Sequence, residues 1–315
     1  MCIMAENIST RVAYGRALAE FGDDQNIVVI DADLATSTMS YMFRDKYPER
    51  FFNAGVAEAN MVCMGAGFAT TGKTVFVNSF AVFSTGRAFD QIRTSVVYPH
   101  LNVKVVGTHA GVSVGEDGPT HQCLEDIGTM RTLPGMVVVC PCDGTETREA
   151  VRAIIDYNGP VYLRLGRAAV EDLTSTLPGY KFTLGKGTLL KNGSDVTIIA
   201  TGLMVQEAMK AADKLSGKVN VRVIDMHTIK PIDKEMIISA AKETGAIITA
   251  EEHNIIGGLG SAVAEVLVEN CPVPMMRVGM NDEFGKSGKA AALMVKYGFT
   301  ADNLCEKVEE ILKRK

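Results

Sequence analysis

Five short runs of apolar, mostly β-branched residues constrain the fold of this chain more than any other feature of the sequence. They lie at 26–31 (NIVVID), 74–79 (TVFVNS), 103–109 (VKVVGTH), 136–141 (MVVVCP) and 161–165 (VYLRL). Their hydrophobicity is continuous and does not alternate, which predicts strands covered on both faces of a sheet. Helical patterns separate the runs; in 9–21, for example, Val12, Leu18 and Phe21 form an apolar stripe. The sequence therefore predicts an α/β fold built on a parallel sheet.

A stretch of turn-forming residues at 173–187 (LTSTLPGYKFTLGKG) divides the chain into two parts. It lacks a long apolar run, which is typical of an interdomain linker. We expect a first domain at 1–172 and a second, smaller α/β domain at 188–315. The second part contains apolar runs and helical patterns in alternation, at 195–202, 203–215, 219–229, from Lys234, 245–252 and 260–269. Two domains agree with a length of 315 residues.

Charge and cysteine content exclude several classes of function. The net charge of −5 argues against nucleic acid or an anionic membrane as a partner. No apolar run is long enough to span a bilayer, and the N-terminal residues lack the pattern of a secretion signal. Seven scattered cysteines fit a reducing cytoplasm better than a disulfide framework, so we expect a cytoplasmic protein. The closest pair, Cys140 and Cys142, is expected to lie at the edge of the core without a metal or redox role.

Polar residues follow several of the predicted strands. Asp33 comes after the first strand, Asn78 and Ser79 after the next, His109 after VKVVGT, and Arg167 after VYLRL. In a doubly wound sheet, ligands bind at the carboxyl ends of the strands. Each of these residues alone is consistent with a wet loop, but together they predict a cleft at one edge of the sheet.

Glu58 is the only charged residue in the stretch 51–69 (FFNAGVAEANMVCMGAGFA). A helix this apolar should be buried on most sides, and an unpaired buried carboxylate costs several kcal/mol, roughly. Glu58 must therefore reach solvent or meet a group that favours a carboxylate.

The loop 115–122 (GEDGPTHQ) combines two glycines and a proline with two carboxylates and a histidine. Such a loop displays fixed polar side chains, as a polar substrate pocket requires. Together with GVAEANM upstream, it closely resembles the pyrimidine-binding domain of transketolases, which use thiamine diphosphate. The second part, with AEEHNIIGGLGSAV, is similar to the transketolase C-terminal domain. The resemblance implies a pyrimidine-binding parallel-sheet domain followed by a smaller C-terminal α/β domain.

The resemblance also implies which residues meet the cofactor. Glu58 matches the acid that hydrogen-bonds the cofactor's pyrimidine ring, and its apolar neighbours are expected to favour a protonated carboxyl group. Phe80 and Phe83, three residues apart and expected on one helical face, would stack on that ring. Asp33 matches an acidic residue near the thiazolium, and His121 matches the histidine beside the reactive carbon. Glu58 and His121 are the expected catalytic residues.

Four further positions resemble the family's anchor for a sugar phosphate: Arg11, Ser37, His109 and Arg167. Two guanidinium groups suit an anionic tail, although a sulfonate would fit the same recognition as a phosphate. Asp117 matches the carboxylate that hydrogen-bonds the hydroxyl groups of the substrate.

No GDG triplet, which marks the family's diphosphate- and metal-binding domain, occurs in this sequence. The resemblance thus implies a separate N-terminal subunit that holds the diphosphate and its Mg²⁺ or Ca²⁺, with no metal ligands in this chain. We expect an α2β2 heterotetramer in which this chain also associates with itself.

The resemblance therefore implies the C-terminal subunit of a two-chain transketolase, which moves a two-carbon ketol unit from an anionic ketose to an aldose by way of thiamine diphosphate. The alternatives are the beta subunit of a 2-oxoacid dehydrogenase component, 1-deoxyxylulose-5-phosphate synthase, and a non-catalytic α/β binding module. The loop GEDGPTHQ, with His109 and Arg167, favours polyhydroxylated, phosphorylated sugars over small oxoacids and so disfavours the 2-oxoacid dehydrogenase subunit. A nucleotide carrier is disfavoured because only a weak glycine motif, GGLG at 257–260, occurs, and it lies in the other domain.

Overall fold

The computed structural model describes residues 7–315, and the first part of the chain is a layered α/β unit. Its strands are β1 (Ile8–Ser9), β2 (Ile27–Asp31), β3 (Phe51–Asn53), β4 (Thr74–Phe80), β5 (Val103–Thr108), β6 (Val137–Val139), β7 (Val161–Arg164) and β8 (Ala169–Val170). Its helices are α1 (Thr10–Phe21), α2 (Ala35–Thr38), α3 (Tyr41–Lys46), α4 (Glu58–Ala69), α5 (Phe89–Gln91), α6 (Asp126–Arg131) and α7 (Gly144–Asp156). Short 3-10 and π-helical turns lie at Pro48–Arg50, Phe83–Arg87, Ile92–Val97, Val112–Val114 and Thr174–Thr176.

Six of these strands lie side by side in the order β6-β7-β5-β4-β2-β3, and all of their pairings are parallel. The central strands are buried along their whole length. Helices α1 and α7 pack together on one face, and α4 covers the other, against β4. Both faces are covered, as the continuous hydrophobicity of the runs requires, so the predicted parallel sheet is confirmed.

The second part of the chain is a smaller α/β unit. Its strands are β9 (Thr188–Lys191), β10 (Val196–Ala200), β11 (Val221–Asp225), β12 (Thr228–Lys230), β13 (Ile247–Asn254) and β14 (Met275–Met280). Its helices are α8 (Met204–Lys214), α9 (Lys234–Thr244), α10 (Leu259–Asn270), α11 (Ala290–Lys296) and α12 (Ala301–Leu312). The strands form a sheet in the order β14-β13-β10-β11-β9, in which only β9 runs antiparallel to its neighbour among the described residues.

The apolar run at 219–229 contains two strands that belong to different sheets. Strand β11 lies in the second sheet, whereas β12 pairs antiparallel with β6 at the edge of the first sheet. Lys230, the last residue of β12, donates hydrogen bonds from its ammonium group to the carbonyl oxygens of Arg131 and Leu133. The two units therefore share a sheet, a pairing that local hydrophobicity does not reveal.

The predicted linker at 173–187 contacts both parts of the chain, through the core of the first unit and through His227 of the second. Phe182 is buried there and packs beside His227, with ring centroids 4.2 Å apart. Across the residues that the structure describes, no helix combines the length and the apolar character needed to cross a membrane.

Candidate active site

Strands β7, β5, β4 and β2 are parallel neighbours, so their carboxyl ends lie side by side. We call this row of strand ends the carboxyl-end edge of the first sheet. Phe80 is the last residue of β4, and His109 follows β5 directly. The predicted position of Asn78 and Ser79 after a strand is wrong, because both lie inside β4. The Asn78 amide is used internally: it accepts a hydrogen bond from the Tyr14 hydroxyl at 2.5 Å and donates to the backbone.

Aromatic rings form a row along this edge. Phe80 ends a strand and Phe83 begins a π-helical turn, so the expected common helical face does not exist. Their rings nevertheless stack, with centroids 5.9 Å apart and an interplanar angle of 12°. His109 stacks against the Phe80 ring at 3.9 Å, and His121 lies edge-on to Phe83 at 5.3 Å. Four of the predicted site residues are thus in one cluster.

Glu58 is the first residue of α4 and is 4% exposed. Its carboxylate accepts a hydrogen bond from Nη1 of Arg87 at 3.0 Å, and the Arg87 side chain is 52% exposed. The same guanidinium group lies over the Phe83 ring, with Cζ 4.0 Å from the centroid. A partner of the kind that the sequence demanded for Glu58 is therefore present within the chain, and it is the guanidinium group of Arg87.

Arg87 was not among the residues predicted from the sequence. No local feature of STGRAFD links this arginine to Glu58, which lies 29 residues earlier in the chain.

His109 is buried between cations. Its Nε2 lies 3.3 Å from Nη1 of Arg11, and its Nδ1 lies 2.9 Å from the Thr108 hydroxyl. Because a guanidinium group only donates, Nε2 must accept, and the ring proton is on Nδ1. Burial, followed by the positive charges of Arg11 and Arg167, lowers the pKa of His109 to about 3. His109 is therefore neutral near pH 7 and acts as a fixed hydrogen-bonding ring.

Two guanidinium groups mark the same region as attractive for anions. Burial and, after it, the like charge of Arg167 lower the pKa of Arg11 from its ordinary value. Arg11 donates to the backbone carbonyl of Ser37 at 2.7 Å, and Arg167 donates to the carbonyl of Val114 at 2.5 Å. Ser37 thus touches the predicted anchor through its backbone. An anion placed here would relieve the repulsion between the two cations.

Asp33 and Asp117 lie outside this cluster. Asp33 is exposed in a turn with a φ of 64° and accepts a hydrogen bond from the Asn53 amide at 2.8 Å. Asp117 is exposed in the loop 115–122. Within residues 7–315, neither aspartate has a hydrogen bond or ring contact to the aromatic row.

Asp31, which was not predicted as a site residue, fixes the loop that carries Asp33 and Ser37. Its buried carboxylate accepts hydrogen bonds from the backbone of Leu34 at 2.5 Å and from the Thr38 and Ser40 hydroxyls at 2.7 and 2.9 Å. Burial raises its pKa, although these hydrogen bonds oppose the shift. The sequence could have indicated this role, because Asp31 ends a buried strand and is followed by Thr and Ser residues that can donate to its carboxylate.

A second group of buried side chains, which could ligate a metal ion, lies between the two units. Ligand atoms of Cys142, Glu146 and Asp225 lie within 4.8 Å of one another. The Glu146 carboxylate already accepts hydrogen bonds from the Cys142 backbone at 2.8 Å and from the Tyr180 hydroxyl at 2.5 Å. A metal ion would have to compete with these internal bonds, and burial raises the pKa of the Cys142 thiol well above its usual range. Cys140 and Cys142 are both buried, each in a core cluster.

Two family models match this chain. Residues 6–172 match the transketolase pyrimidine-binding domain, and residues 185–304 match the transketolase C-terminal domain.

Individual proteins give the same result over almost the entire chain. The chain is 44% identical to the 6-deoxy-6-sulfo-D-fructose transketolase subunit SqwH of Clostridium sp., covering 97% of this chain and 95% of that one. It is 41% identical to an apulose-4-phosphate transketolase subunit of Phocaeicola vulgatus, covering 99% and 100%. A solved structure described as a split gene transketolase, an inactive β4 tetramer, superposes with a TM-score of 0.90 at 49% identity and covers 97% of this chain and 99% of that one. The chain therefore belongs to the transketolase family, of which it carries the pyrimidine-binding and C-terminal domains.

Proposed function

We propose that this chain is the C-terminal subunit of a two-chain, thiamine-diphosphate-dependent transketolase, which transfers a two-carbon ketol unit from an anionic ketose to an aldose. Relatives that are themselves transketolase subunits support this function over the beta subunit of a 2-oxoacid dehydrogenase component, 1-deoxyxylulose-5-phosphate synthase or a non-catalytic binding module.

The environment of Arg87 is the observation that carries the proposal. A flat cation lies there between the Glu58 carboxylate, 3.0 Å away, and the face of the Phe83 ring. A flat nitrogen heterocycle that carries a proton could make the same two contacts, one hydrogen bond and one stacking contact. The pyrimidine ring of thiamine diphosphate has this chemistry, and Arg87, half exposed, is free to turn outward when the ring takes its place. The residues present therefore fit the cofactor.

Thiamine diphosphate, when bound, supplies the carbanion chemistry that makes and breaks the carbon–carbon bond. Glu58 would hold a proton at the ring nitrogen and so favour the imino tautomer. His121, whose ring lies edge-on to Phe83, would exchange protons with the bound substrate. Phe80 and Phe83 would exclude water from this side of the site, and Asp33 would lie towards the thiazolium.

The substrate is expected to carry a negative charge. Arg11 and Arg167, with His109 as a neutral hydrogen-bonding ring, would anchor a phosphate or sulfonate group, and Ser37 would close the anchor. Asp117 would hydrogen-bond the hydroxyl groups. The names of the two relatives support this range, since one substrate is a sulfonated sugar and the other a sugar phosphate.

The diphosphate and its Mg²⁺ or Ca²⁺ are assigned to a separate N-terminal subunit, in an α2β2 assembly. The solved relative that is an inactive β4 tetramer is consistent with a chain that associates with itself but needs a partner for activity.

Reconstitution tests the proposal. The purified chain should show no ketol transfer, and mixing it with an N-terminal subunit that carries the GDG motif should restore turnover of a phosphorylated or sulfonated ketose. In the mixture, Glu58→Ala should lower kcat at least about 100-fold, about 3 kcal/mol. Glu309→Ala, on the exposed side of α12, is the matched control and should keep full activity. Turnover by the chain alone, or undiminished turnover by Glu58→Ala, would contradict the proposal.

A further inference from the structure

The loop that joins β5 to α6 has left-handed backbone at four positions, three of them glycines and one a histidine. His109 has a φ of 58°, and Gly111, Gly115 and Gly118 have φ values of 84°, 86° and 75°. A left-handed conformation at a histidine costs free energy and persists only where surrounding contacts hold it. The loop carries His109, Asp117 and His121, so whatever holds it also positions these three side chains.

A carboxylate from the second unit holds the middle of this loop. Glu252, near the carboxyl end of β13, accepts hydrogen bonds from the backbone N–H of Ser113 at 2.5 Å and from its hydroxyl at 3.1 Å. Gly111 permits this approach, because a Cβ there would overlap the carboxyl group of Glu252. Glu252 is 4% exposed, so these contacts are shielded from water.

Arg164, a cation close to Glu252, donates hydrogen bonds to groups other than the Glu252 carboxylate. Arg164 donates to the backbone carbonyl of Glu252 at 2.9 Å, while its Nε pairs with Asp126 at 2.7 Å. A buried carboxylate is costly, and the hydrogen bonds that this one accepts come from the loop. Both oxygens of the Glu252 carboxylate therefore accept hydrogen bonds from Ser113.

The second unit also holds the far end of the loop, through residues 285–288. The Ser287 hydroxyl donates to the carbonyl of Glu116 at 2.6 Å, and the Gln122 amide donates to the carbonyl of Lys286 at 2.9 Å. These two contacts flank the segment that contains Asp117 and His121.

We propose that Glu252 is a positioning residue, through which the C-terminal domain sets the geometry of the loop that carries His109, Asp117 and His121. The assignment of that loop to the active site rests on the proposed function, whereas the tether itself is a property of the chain. The C-terminal domain then has a role in the reaction without contacting substrate or cofactor.

Hydrogen exchange of the full-length chain tests the tether without any enzyme assay. Glu252→Ala should raise the exchange rates of backbone amides in 111–122 at least about tenfold relative to those in α7. Glu252→Gln, which keeps an oxygen acceptor of the same size, should restore the wild-type rates. Ser113→Ala, which removes only the hydroxyl donor, should give a smaller increase of about threefold, and it provides the same test if Glu252→Ala fails to fold. The control Val308→Ala opens a cavity in the second unit and should lower the overall stability without a selective effect on 111–122.

Kinetics of the reconstituted pair test the consequence. Glu252→Ala should lower kcat about tenfold, and Glu252→Gln should rescue it, whereas Val308→Ala should not change it. The proposal is overturned if the exchange rates of 111–122 rise no more than those of α7, or if the alanine variant keeps the wild-type kcat. A wild-type pair without activity would instead refute the proposed function, while the exchange result would still stand.

Discussion

The first and second sheets differ in what pairs with the buried carboxylate at the carboxyl ends of their parallel strands. At the first edge, Glu58 is paired with Arg87, whose side chain is half exposed. At the second edge, the Glu251 carboxylate accepts hydrogen bonds from the backbone N–H groups of Leu259 and Gly260, both at 2.7 Å. These N–H groups lie in the first turn of α10, at the end of the GGLG motif.

The start of a helix after a glycine-rich turn is a ready site for an anion. In the second unit the chain fills that site with its own buried carboxylate, and a Cβ at Gly258 would overlap Oε2 of Glu251. In the first unit the charged partner, Arg87, is half exposed and, under the proposed function, would turn towards solvent. A helix start is therefore open to a ligand only where no side chain of the protein already bonds its N–H groups. Glu251 bonds those of α10, so the glycine motif in the second unit does not indicate a nucleotide site.

Substitution of Glu251 and of Glu58 should give the largest difference between the two sheets, measured as the loss in the free energy of unfolding. Glu251→Ala leaves two buried N–H groups without a partner and should lower the free energy of unfolding by about 3 kcal/mol. Glu58→Gln keeps an acceptor for the half-exposed Arg87 and should lower it by less than about 1 kcal/mol. Urea unfolding of both variants checks this difference. Equal losses would show that Glu58 is as structural as Glu251.

A pH series should reveal the neighbouring carboxylate, Glu252, as a buried acid. Burial raises its pKa to about 7 from an ordinary value of 4.5, although Ser113 and the charge of Arg164 act in the opposite direction. Between those two values the folded protein binds more protons than the unfolded chain, so this group's contribution to stability falls as the pH rises from about 5 to 7 and is constant above that range.

The loss from Glu252 should be at most about 3 kcal/mol. The measurement is urea unfolding of the wild type and of Glu252→Gln at each pH. The difference in unfolding free energy between them should change across this range, and parallel curves would rule out an elevated pKa.

The smallest expected effect concerns anion recognition at the open edge. Arg11→Lys keeps the charge but loses the guanidinium fork, so KM for the anionic ketose should rise about fivefold, near 1 kcal/mol, with little change in kcat. Arg277→Lys is the matched control at the other edge, where Arg277 donates to the carbonyl of Ile255 at 2.8 Å. Steady-state kinetics of the reconstituted pair distinguish the two. An unchanged KM in Arg11→Lys would remove Arg11 from the anchor.

The parallel sheet, Glu58 and the loop 115–122 could be predicted from the sequence because their signals are local, whereas the roles of the other candidate site residues came from the resemblance to transketolases. Continuous hydrophobic runs indicate strands buried on both faces, and a lone charge among apolar residues identifies Glu58. The loop 115–122 stands out by its spacing of glycines, proline and charged residues. The placement of His109 at the edge of the sheet also follows from the strand that precedes it.

The remaining features depend on contacts between distant segments. Arg87 meets Glu58 across 29 residues and Glu252 meets Ser113 across 139 residues, and nothing near either residue in the sequence specifies its partner. The prediction of a common helical face for Phe80 and Phe83 was wrong, because β4 extends one residue beyond the predicted run and Phe83 lies in a separate turn. Spacing of three residues predicts a common face only where the helix is known to exist.

Strand β12 has a consequence for attempts to dissect the molecule. It covers one side of β6, so a fragment ending before residue 188 would expose the hydrogen-bonding groups of β6 to solvent. Unprotected strand borders recruit other chains, and such a fragment should aggregate or assemble wrongly even though its own residues match a complete family domain. Expression boundaries for this protein are therefore better chosen outside both units than between them.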